Sequence, residues 1–231
     1  MRILLTRPEP DAARSAAKLR AAGHEVSVDS LLSIESIPFV PPQGEIAAIA
    51  ITSANALRAV DAAAIAKLKS LPLFALGAHT AEAARLAGFS QIEVAGGDVQ
   101  SLGALLARRL PAGARVLYLA GENRARDLAA LTPEISIETR VVYRARAAEK
   151  FEETTATKLR AGEIDAVLHF SPRSAEAFVV LARKARLESA LPSMRHLCLS
   201  PAVAAVLAGA GVKGEVAARP EEEALLALLD L

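Results

Sequence analysis

Cysteine and aromatic residues are scarce in this chain of 231 residues. It has one cysteine, Cys198, and no tryptophan, and aromatic residues make up 3% of the sequence. A single cysteine excludes a disulfide within the chain, which is typical of proteins from a reducing compartment. So few aromatic rings argue against the stacking surfaces that bind single-stranded nucleic acid. Cys198 lies inside a predicted strand, and we interpret it as a small buried hydrophobic residue.

An excess of charge is missing as well. The 27 basic and 26 acidic residues leave a net charge of +1, so no overall field attracts nucleic acid or a membrane surface. No apolar run approaches the length that spans a bilayer. The chain enters a predicted strand at Arg2 without a signal-peptide pattern. We therefore expect a cytoplasmic protein that binds neither nucleic acid nor membrane.

The motifs of common cofactor and metal sites are also absent. The sequence contains no Gly-x-x-x-x-Gly-Lys-Ser/Thr loop and no Gly-x-Gly-x-x-Gly after a strand. The four histidines, His24, His79, His169 and His196, do not have the spacing of metal ligands, so we expect no metal. We interpret His169 as a core histidine, whereas His79 lies in a loop where it could contact a substrate. No Ser-His-Asp arrangement can be argued from the spacing.

What the sequence does contain is a repeated strand-to-helix plan. In residues 166–177 the apolar run Val167–Phe170 predicts a buried strand, a Ser-Pro turn follows, and a helix is predicted to begin near Ser174. Residues 48–59 repeat this plan, with Ser53 as a predicted helix cap. Further matches pair residues 2–6 with 115–119, 74–88 with 197–209, and 101–107 with 222–228. Because their order is kept, residues 1 to about 112 and about 113 to 231 are predicted to be two copies of one plan.

Strands that alternate with helices predict an α/β fold of two doubly wound parallel sheets. Two extended stretches interrupt the alternation, one at residues 33–40 and one at residues 135–146, and both are candidate linkers. In such sheets a ligand binds beyond the carboxyl ends of the strands. The loops at those ends are rich in glycine and hydroxyl residues, and each precedes a helix whose free N–H groups favour an anion. The alternative is that these Ser and Thr residues only cap helices.

One predicted helix start differs from the others in charge. Glu221, Glu222 and Glu223 place three carboxylates in the first turn of the last helix. They are predicted to satisfy the helix dipole themselves, so an anionic ligand should avoid this helix.

The chain resembles the uroporphyrinogen-III synthase family over essentially its whole length. The resemblance rests on the order and spacing of short motifs: Ile3-Leu-Leu-Thr-Arg-Pro8, Thr52-Ser53, Phe74-Ala-Leu-Gly77 with Thr80, Leu119-Ala-Gly-Glu-Asn123, Val141-Val-Tyr143, Phe170-Ser-Pro172 and Leu199-Ser200. It implies two α/β domains joined by a two-stranded connection, with an active-site cleft between them. The first domain would be discontinuous, with residues 1–36 and 146–231, and the second would be residues 37–145.

The resemblance also implies a reaction and a substrate. The linear tetrapyrrole hydroxymethylbilane would close to uroporphyrinogen III, with inversion of the last pyrrole ring and loss of water. No cofactor is implied. The substrate carries eight carboxylates, which suits an array of helix N-termini. The protein would act as a monomer, with a possible transient contact to the upstream enzyme that makes the bilane.

Roles for individual residues follow from the same resemblance. Tyr143 corresponds to the family's cleft tyrosine and would donate a proton to the departing hydroxyl; the alternative is a residue that packs between domains. The substrate-binding positions would be Arg7, Ser53, Thr80, Gly121, Asn123, Ser171 and Ser200, with added charge from Arg124 and Arg126. The chain departs from the family at Ala54, where many relatives have proline, and at Ala202 and Val203, where some have hydroxyl residues.

Two rival hypotheses remain at this stage. A non-catalytic two-domain protein that closes on a small polyanionic ligand would show the same strands and loops. A catalytically dead relative of the family would do so as well, although Tyr143 and the intact hydroxyl loops argue against it.

Overall fold

Strands and helices alternate along the chain, as the sequence predicts. The structure is a computed structural model, and it describes residues 1–123 and 127–230. Its strands are β1 Arg2–Leu5, β2 Glu25–Val28, β3 Leu32–Ser36, β4 Ala48–Ile51, β5 Leu73–Ala75, β6 Ile92–Val94, β7 Arg115–Gly121, β8 Ser136–Ala147, β9 Ala166–His169, β10 Arg195–Cys198 and β11 Glu215–Val216. Its α-helices are α1 Asp11–Ala21, α2 Ala54–Ala59, α3 Ala62–Leu68, α4 Ala78–Leu86, α5 Val99–Arg109, α6 Leu128–Leu131, α7 Glu153–Arg160, α8 Pro172–Lys184, α9 Pro201–Ala208 and α10 Glu222–Leu226.

The chain divides into two compact units. The first unit is Met1–Ser33 with Arg146–Leu231, and the second is Ile34–Ala145. The chain passes between them within β3 and within β8, which are neighbours in one sheet. The Ile37 N–H donates to the Val142 carbonyl at 2.8 Å and the Ala148 N–H to the Leu31 carbonyl at 2.9 Å, so these strands run antiparallel. They form the two-stranded connection of the predicted fold class.

In its described residues, the first unit has a parallel sheet with the strand order β11-β10-β9-β1-β2. Leu4 and Val167 pack with Phe178 on one face, while Ile3 and Leu168 pack on the other. Both faces are therefore covered, which explains why these strands are continuous apolar runs in the sequence. Strand β2 lies on one side of β1 and β9 lies on the other, so the strand order reverses between β1 and β9.

The second unit repeats this arrangement. Over the described residues its sheet has the order β3-β8-β7-β4-β5-β6, and the pairs from β8 to β6 are parallel. Ile49 and Leu117 pack on one face, and Ala50 and Tyr118 pack on the other. Here the strand order reverses between β7 and β4.

The predicted repeats and the compact units are not the same pieces of chain. With the repeats in register, β1 corresponds to β7, β2 to β8, β9 to β4, β10 to β5 and β11 to β6, and the two sheets have the same order. The first unit therefore takes two strands from one copy and three from the other. The second unit takes the complementary set. Each doubly wound sheet is assembled from both copies.

Several local predictions need correction. The helix predicted near Ser174 begins at Pro172 with Ser171 as its cap, because proline suits the first helical position. Helix α3 was not predicted, although Asp61 caps it. The polar loop predicted to open a helix at residues 121–126 lies partly outside the described residues, and α6 after it is four residues long. Gly23 and Gly88, at the ends of α1 and α4, have φ of 86° and 93°, as expected for helix ends.

Candidate active site

Four of the predicted site residues lie at the carboxyl ends of the strands on either side of the two reversal points. In the first unit these are Arg7 after β1 and Ser171 after β9. In the second unit they are Gly121, the last residue of β7, and Ser53 after β4. Reversal points are where doubly wound sheets open a crevice for a ligand. The topology therefore provides one candidate site in each unit.

Tyr143 lies against the end of β7, a strand that borders the reversal point of the second unit, because of an irregularity in β8. Ala120 pairs with Val141, but Gly121 pairs with Tyr143, so Val142 is an extra residue in the strand. Strict alternation predicts that Val142 and Tyr143 face opposite sides, yet both pack on the same apolar cluster. The Glu122 N–H donates to the Tyr143 carbonyl at 2.9 Å and holds the strands together beyond the bulge. Bulges of this kind redirect a side chain, here the half-buried Tyr143.

The loop after β4 in the second unit holds two hydroxyl groups with different partners. Ser53 caps α2 as predicted, and its Oγ accepts a hydrogen bond from the Asn55 N–H at 3.2 Å. The Thr52 hydroxyl lies 3.1 Å from the phenol oxygen of the buried Tyr118. Ser53 is half-buried and keeps an open side, and the exposed Asn123 follows β7 at the same end of the sheet.

Thr80 has a position that favours packing over ligand contact. It is the third residue of α4 and is 6% exposed. In the repeat, the residue at the same place in α9 is Val203, which is 1% exposed. A threonine and a valine of nearly equal shape therefore fill the same core position in the two copies.

Hydroxyl residues also begin the helices of the first unit. Ser171 caps α8, and its Oγ accepts from the Ser174 N–H at 3.1 Å. Ser200 begins α9, but within the described residues its side chain makes no capping bond. Its carbonyl accepts from the Val203 and Ala204 N–H groups at 3.1 and 3.2 Å. Of these two half-buried serines, only Ser171 uses its hydroxyl to cap a helix within the described residues.

Arg7 is engaged within the protein. Its side chain is 10% exposed, its Nη1 donates to Ser15 Oγ at 2.9 Å, and its Nη2 lies 3.3 Å from Asp11 Oδ2. Glu222 Oε2 lies 3.6 Å from Nη1, and the guanidinium carbon lies 4.0 Å from the centre of the Phe170 ring. Two carboxylates of the protein, Asp11 and Glu222, therefore neutralise the Arg7 guanidinium, which the resemblance predicts to bind the substrate.

The glutamates at the start of α10 have a different role from the predicted one, which was to satisfy the helix dipole. The helix has five residues, which leaves little dipole to satisfy. Glu222 instead reaches Arg7, and Glu223 Oε1 lies 3.0 Å from Lys18 Nζ. The Lys18 ammonium holds the pKa of Glu223 below its usual range. These carboxylates join the C-terminal helix to α1.

The buried histidines form a neutral pair in the core of the first unit. The His196 Nε2 lies 3.0 Å from the Leu191 carbonyl, which can only accept, so the proton is on Nε2. His196 Nδ1 then accepts from His169 Nε2 at 3.1 Å. His169 Nδ1 is buried and has no hydrogen-bond partner among the described residues. Burial lowers the pKa of both rings, that of His169 well below its ordinary value.

Metal ligands do not gather in the described part of the chain. No group of three His, Cys, Asp or Glu residues there could hold an ion. Cys198 is fully buried, as predicted, and burial raises its pKa to about 11. In the same described ranges, no helix has the length and apolarity needed to cross a membrane. Arg124 and Arg126, predicted to add charge, lie outside the described residues.

Sequence reasoning identified these residues but missed two relationships between them. The close approach of Gly121 to Tyr143 depends on the bulge, and the sequence signal for it is only a glycine at the end of a predicted strand. The pairing of Arg7 with Glu222 joins the two ends of the chain. The sequence feature that could have indicated this pairing is the run of three glutamates at the start of α10, for which the basic residues of α1 are possible partners.

The fold and these sheet ends define a class: an α/β protein of two doubly wound units that offers ligand sites at the carboxyl ends of parallel strands. The family model described as uroporphyrinogen-III synthase HemD matches residues 13–227, and the chain belongs to this family. The family consists of cyclising lyases of tetrapyrrole biosynthesis, so the predicted family and enzyme class are confirmed. No curated protein sequence matches the chain significantly.

Solved structures agree in fold. The uroporphyrinogen-III synthetase of Helicobacter pylori is 19% identical with a TM-score of 0.66, and 99% of this chain covers 98% of that one. A mutant uroporphyrinogen III synthase of Thermus thermophilus is 19% identical with a TM-score of 0.57, and 100% of this chain covers 96% of that one. Likeness at this identity confirms the predicted fold class.

Proposed function

We propose that this chain closes hydroxymethylbilane to uroporphyrinogen III, with inversion of the last pyrrole ring and loss of water. The observation that carries the proposal is the Tyr143 phenol, which the bulge in β8 sets against Gly121 at the carboxyl end of β7, in a chain of this family. The hydroxyl residues at the same sheet ends support it. Their loops offer small side chains and backbone N–H groups of the kind that hold carboxylates.

Tyr143 acts as the proton donor in this proposal. The phenol O–H gives its proton to the departing hydroxyl, which leaves as water. The hydroxymethyl carbon that it leaves is attacked by a carbon of the last pyrrole ring to give a spiro intermediate, which rearranges to the closed macrocycle, and the proton lost on closure returns to the phenolate. A phenol is a weak acid near neutral pH, so it assists the step. Most of the rate comes from folding the bilane so that its ends meet.

In this proposal, serine hydroxyls and backbone N–H groups at the carboxyl ends of the strands in both units hold the substrate carboxylates. Ser53, Ser171 and Ser200 are half-buried at helix starts, so part of each side chain stays accessible to a ligand. Asn123 and the Gly121 backbone contribute at the end of β7. Arg7 and Thr80 remain in the proposed set from the resemblance, but their burial favours internal roles.

The remaining proposals concern the organisation of the enzyme. Residues 1–36 with 146–231 and residues 37–145 act as two domains that hold one bilane in a cleft between them. The enzyme works as a monomer in the cytoplasm, needs no metal or organic cofactor, and receives its substrate from the upstream bilane-forming enzyme, with at most a transient contact.

A coupled assay tests the function directly. The upstream enzyme generates hydroxymethylbilane, this protein is added, and the oxidised uroporphyrin isomers are separated by chromatography. The bilane closes unaided to isomer I, so a shift to isomer III is expected. Isomer I alone, from protein shown to be folded by circular dichroism, would contradict the proposal and favour the ligand-binding clamshell.

The assay also tests the absence of a metal. Treatment with a chelator, followed by its removal, is expected to leave the yield of isomer III unchanged. A loss of activity that one added metal ion restores would overturn that part of the proposal.

A further inference from the structure

Gly121 and Tyr143 approach more closely than any other residue at position 121 would allow. A Cβ atom placed on Gly121 would lie 2.6 Å from Tyr143 Cζ, 2.8 Å from its phenol oxygen and 3.0 Å from Cε2. Carbon atoms in contact are usually about 3.5–4.0 Å apart. The phenol end of the ring therefore occupies the space that a side chain at position 121 would take.

The backbone gives no separate reason for glycine at this position. Gly121 is not among the glycines with positive φ, a set that includes Gly97 and Gly113. It ends a regular strand, and its partner in the neighbouring strand is Tyr143 itself. The requirement for glycine at position 121 thus comes from the tyrosine ring.

The backbone of Tyr143 cannot move aside easily. The Tyr143 carbonyl accepts a hydrogen bond from the Glu122 N–H at 2.9 Å, and the preceding residue, Val142, is fully buried in the apolar cluster on which the ring also packs. A side chain added at position 121 would force the ring to another rotamer and carry the phenol oxygen away. Gly121 and the bulge at Val142 together set where the phenol lies.

We infer that Gly121 is a positioning residue for the Tyr143 phenol, and that its part in the reaction is to leave space for that ring. This inference rests on the proposed function and gives Gly121 a role other than carboxylate binding. Gly121→Ala is expected to lower kcat about tenfold, close to the effect of Tyr143→Phe, because a displaced donor is as ineffective as a missing one. The KM should change less than about twofold.

A double-mutant cycle separates this role from a direct contact with substrate. In the Tyr143→Ala background the added methyl group at position 121 no longer meets a ring, so Gly121→Ala should cause no further loss of kcat. An equal loss in both backgrounds would overturn the inference. If Gly121→Ala alone does not fold, the double variant should fold again; a double variant that also fails would equally overturn it. Gly209→Ala, where a Cβ would meet nothing closer than 3.4 Å, is the matched control.

A spectroscopic readout makes the result independent of activity. The chain has two tyrosines and no tryptophan, so Tyr118→Phe leaves Tyr143 as the single tyrosine. Near-ultraviolet circular dichroism of this variant, with and without Gly121→Ala, reports the setting of the ring. A changed tyrosine band supports the inference even if the wild type yields only isomer I. An unchanged band together with wild-type kcat would overturn it while leaving the proposed function intact.

Discussion

Glu222 lies against Arg7 from the other end of the chain. Its Oε2 is 3.6 Å from Arg7 Nη1, and the side chains of Glu222 and Arg7 are 13% and 10% exposed. Asp11 completes the group at 3.3 Å, and Phe170 covers the guanidinium. A cation enclosed by two carboxylates and a ring holds β1, α1 and α10 together in the first unit. Its geometry favours a structural role over a role in substrate binding.

Removal of Arg7 should therefore affect stability before it affects binding. Arg7→Met leaves the buried Asp11 and Glu222 carboxylates with only the half-exposed Arg14 and Lys18 as cationic partners, and we expect a loss of about 1–3 kcal/mol in the free energy of unfolding. Denaturant titration followed by circular dichroism measures it. Arg85→Met is the matched control, because Arg85 pairs with Glu82 at the surface, where their side chains are 56% and 57% exposed, and such a pair contributes below about 1 kcal/mol. A variant of full stability with a tenfold higher KM would instead show that Arg7 binds the substrate.

Tyr143→Phe tests the proposed proton donor. The change removes one hydroxyl and keeps the ring on its apolar cluster, so the fold should be unchanged. We expect kcat to fall roughly tenfold or more. The coupled assay at saturating bilane measures it, with Tyr118→Phe as a control of the same chemistry at a buried position. Unchanged turnover would remove Tyr143 from the mechanism.

The histidine pair predicts a dependence of stability on pH. Burial lowers the pKa of His169 and His196 in the folded state, so the unfolded chain binds more protons. The contribution of the neutral pair to the free energy of unfolding is fully present above the ordinary histidine pKa of about 6.5. It falls as the pH drops below that value, by at most about 1.4 kcal/mol per pH unit for each ring. Denaturant unfolding between pH 5 and 7 separates this effect from the carboxylates, which titrate lower.

A variant identifies the source of that slope. His169→Leu removes one of the two rings and should reduce the fall in stability over the same pH range. His24→Gln, at a half-buried site, should leave most of it unchanged. If the pH dependence of stability were equal in His169→Leu and the wild type, His169 would carry the same charge in the folded and the unfolded chain over this pH range.

Cys198 should resist thiol reagents while the protein is folded. It is fully buried, and burial raises its pKa to about 11, so little thiolate exists at pH 8. Labelling with a chromogenic disulfide is expected to be slow in buffer. In denaturant, one thiol per chain should react rapidly, because the chain has one cysteine. Rapid labelling of the native protein would contradict the burial.

Local chemistry explains which features could be predicted from the sequence. Short apolar runs such as 166–169 specify strands that are buried on both faces, wherever they pair. Ser53 and Asp98 cap helices through hydrogen bonds to residues two or three positions later. These interactions act over a few residues, so the α/β class, the alternation and most helix starts follow from the sequence pattern.

Long-range placement depended on the tertiary structure. The repeat pattern predicted two copies in order, but each sheet combines strands of both copies, because pairing depends on where the chain returns after each helix. The residue that neutralises Arg7 lies near the other end of the chain. Such pairs leave no periodicity in the sequence.

The residue pattern alone was enough to predict the α/β fold class, the family resemblance and the residues near the strand ends. How those residues are used depends on the tertiary structure. One extra residue in β8 keeps Tyr143 on the same face as Val142, where alternation would have turned it away, and sets it against Gly121. A change of register by one residue reverses the side chain's direction. For that reason the position of the phenol follows from strand pairing and not from the order of the residues alone.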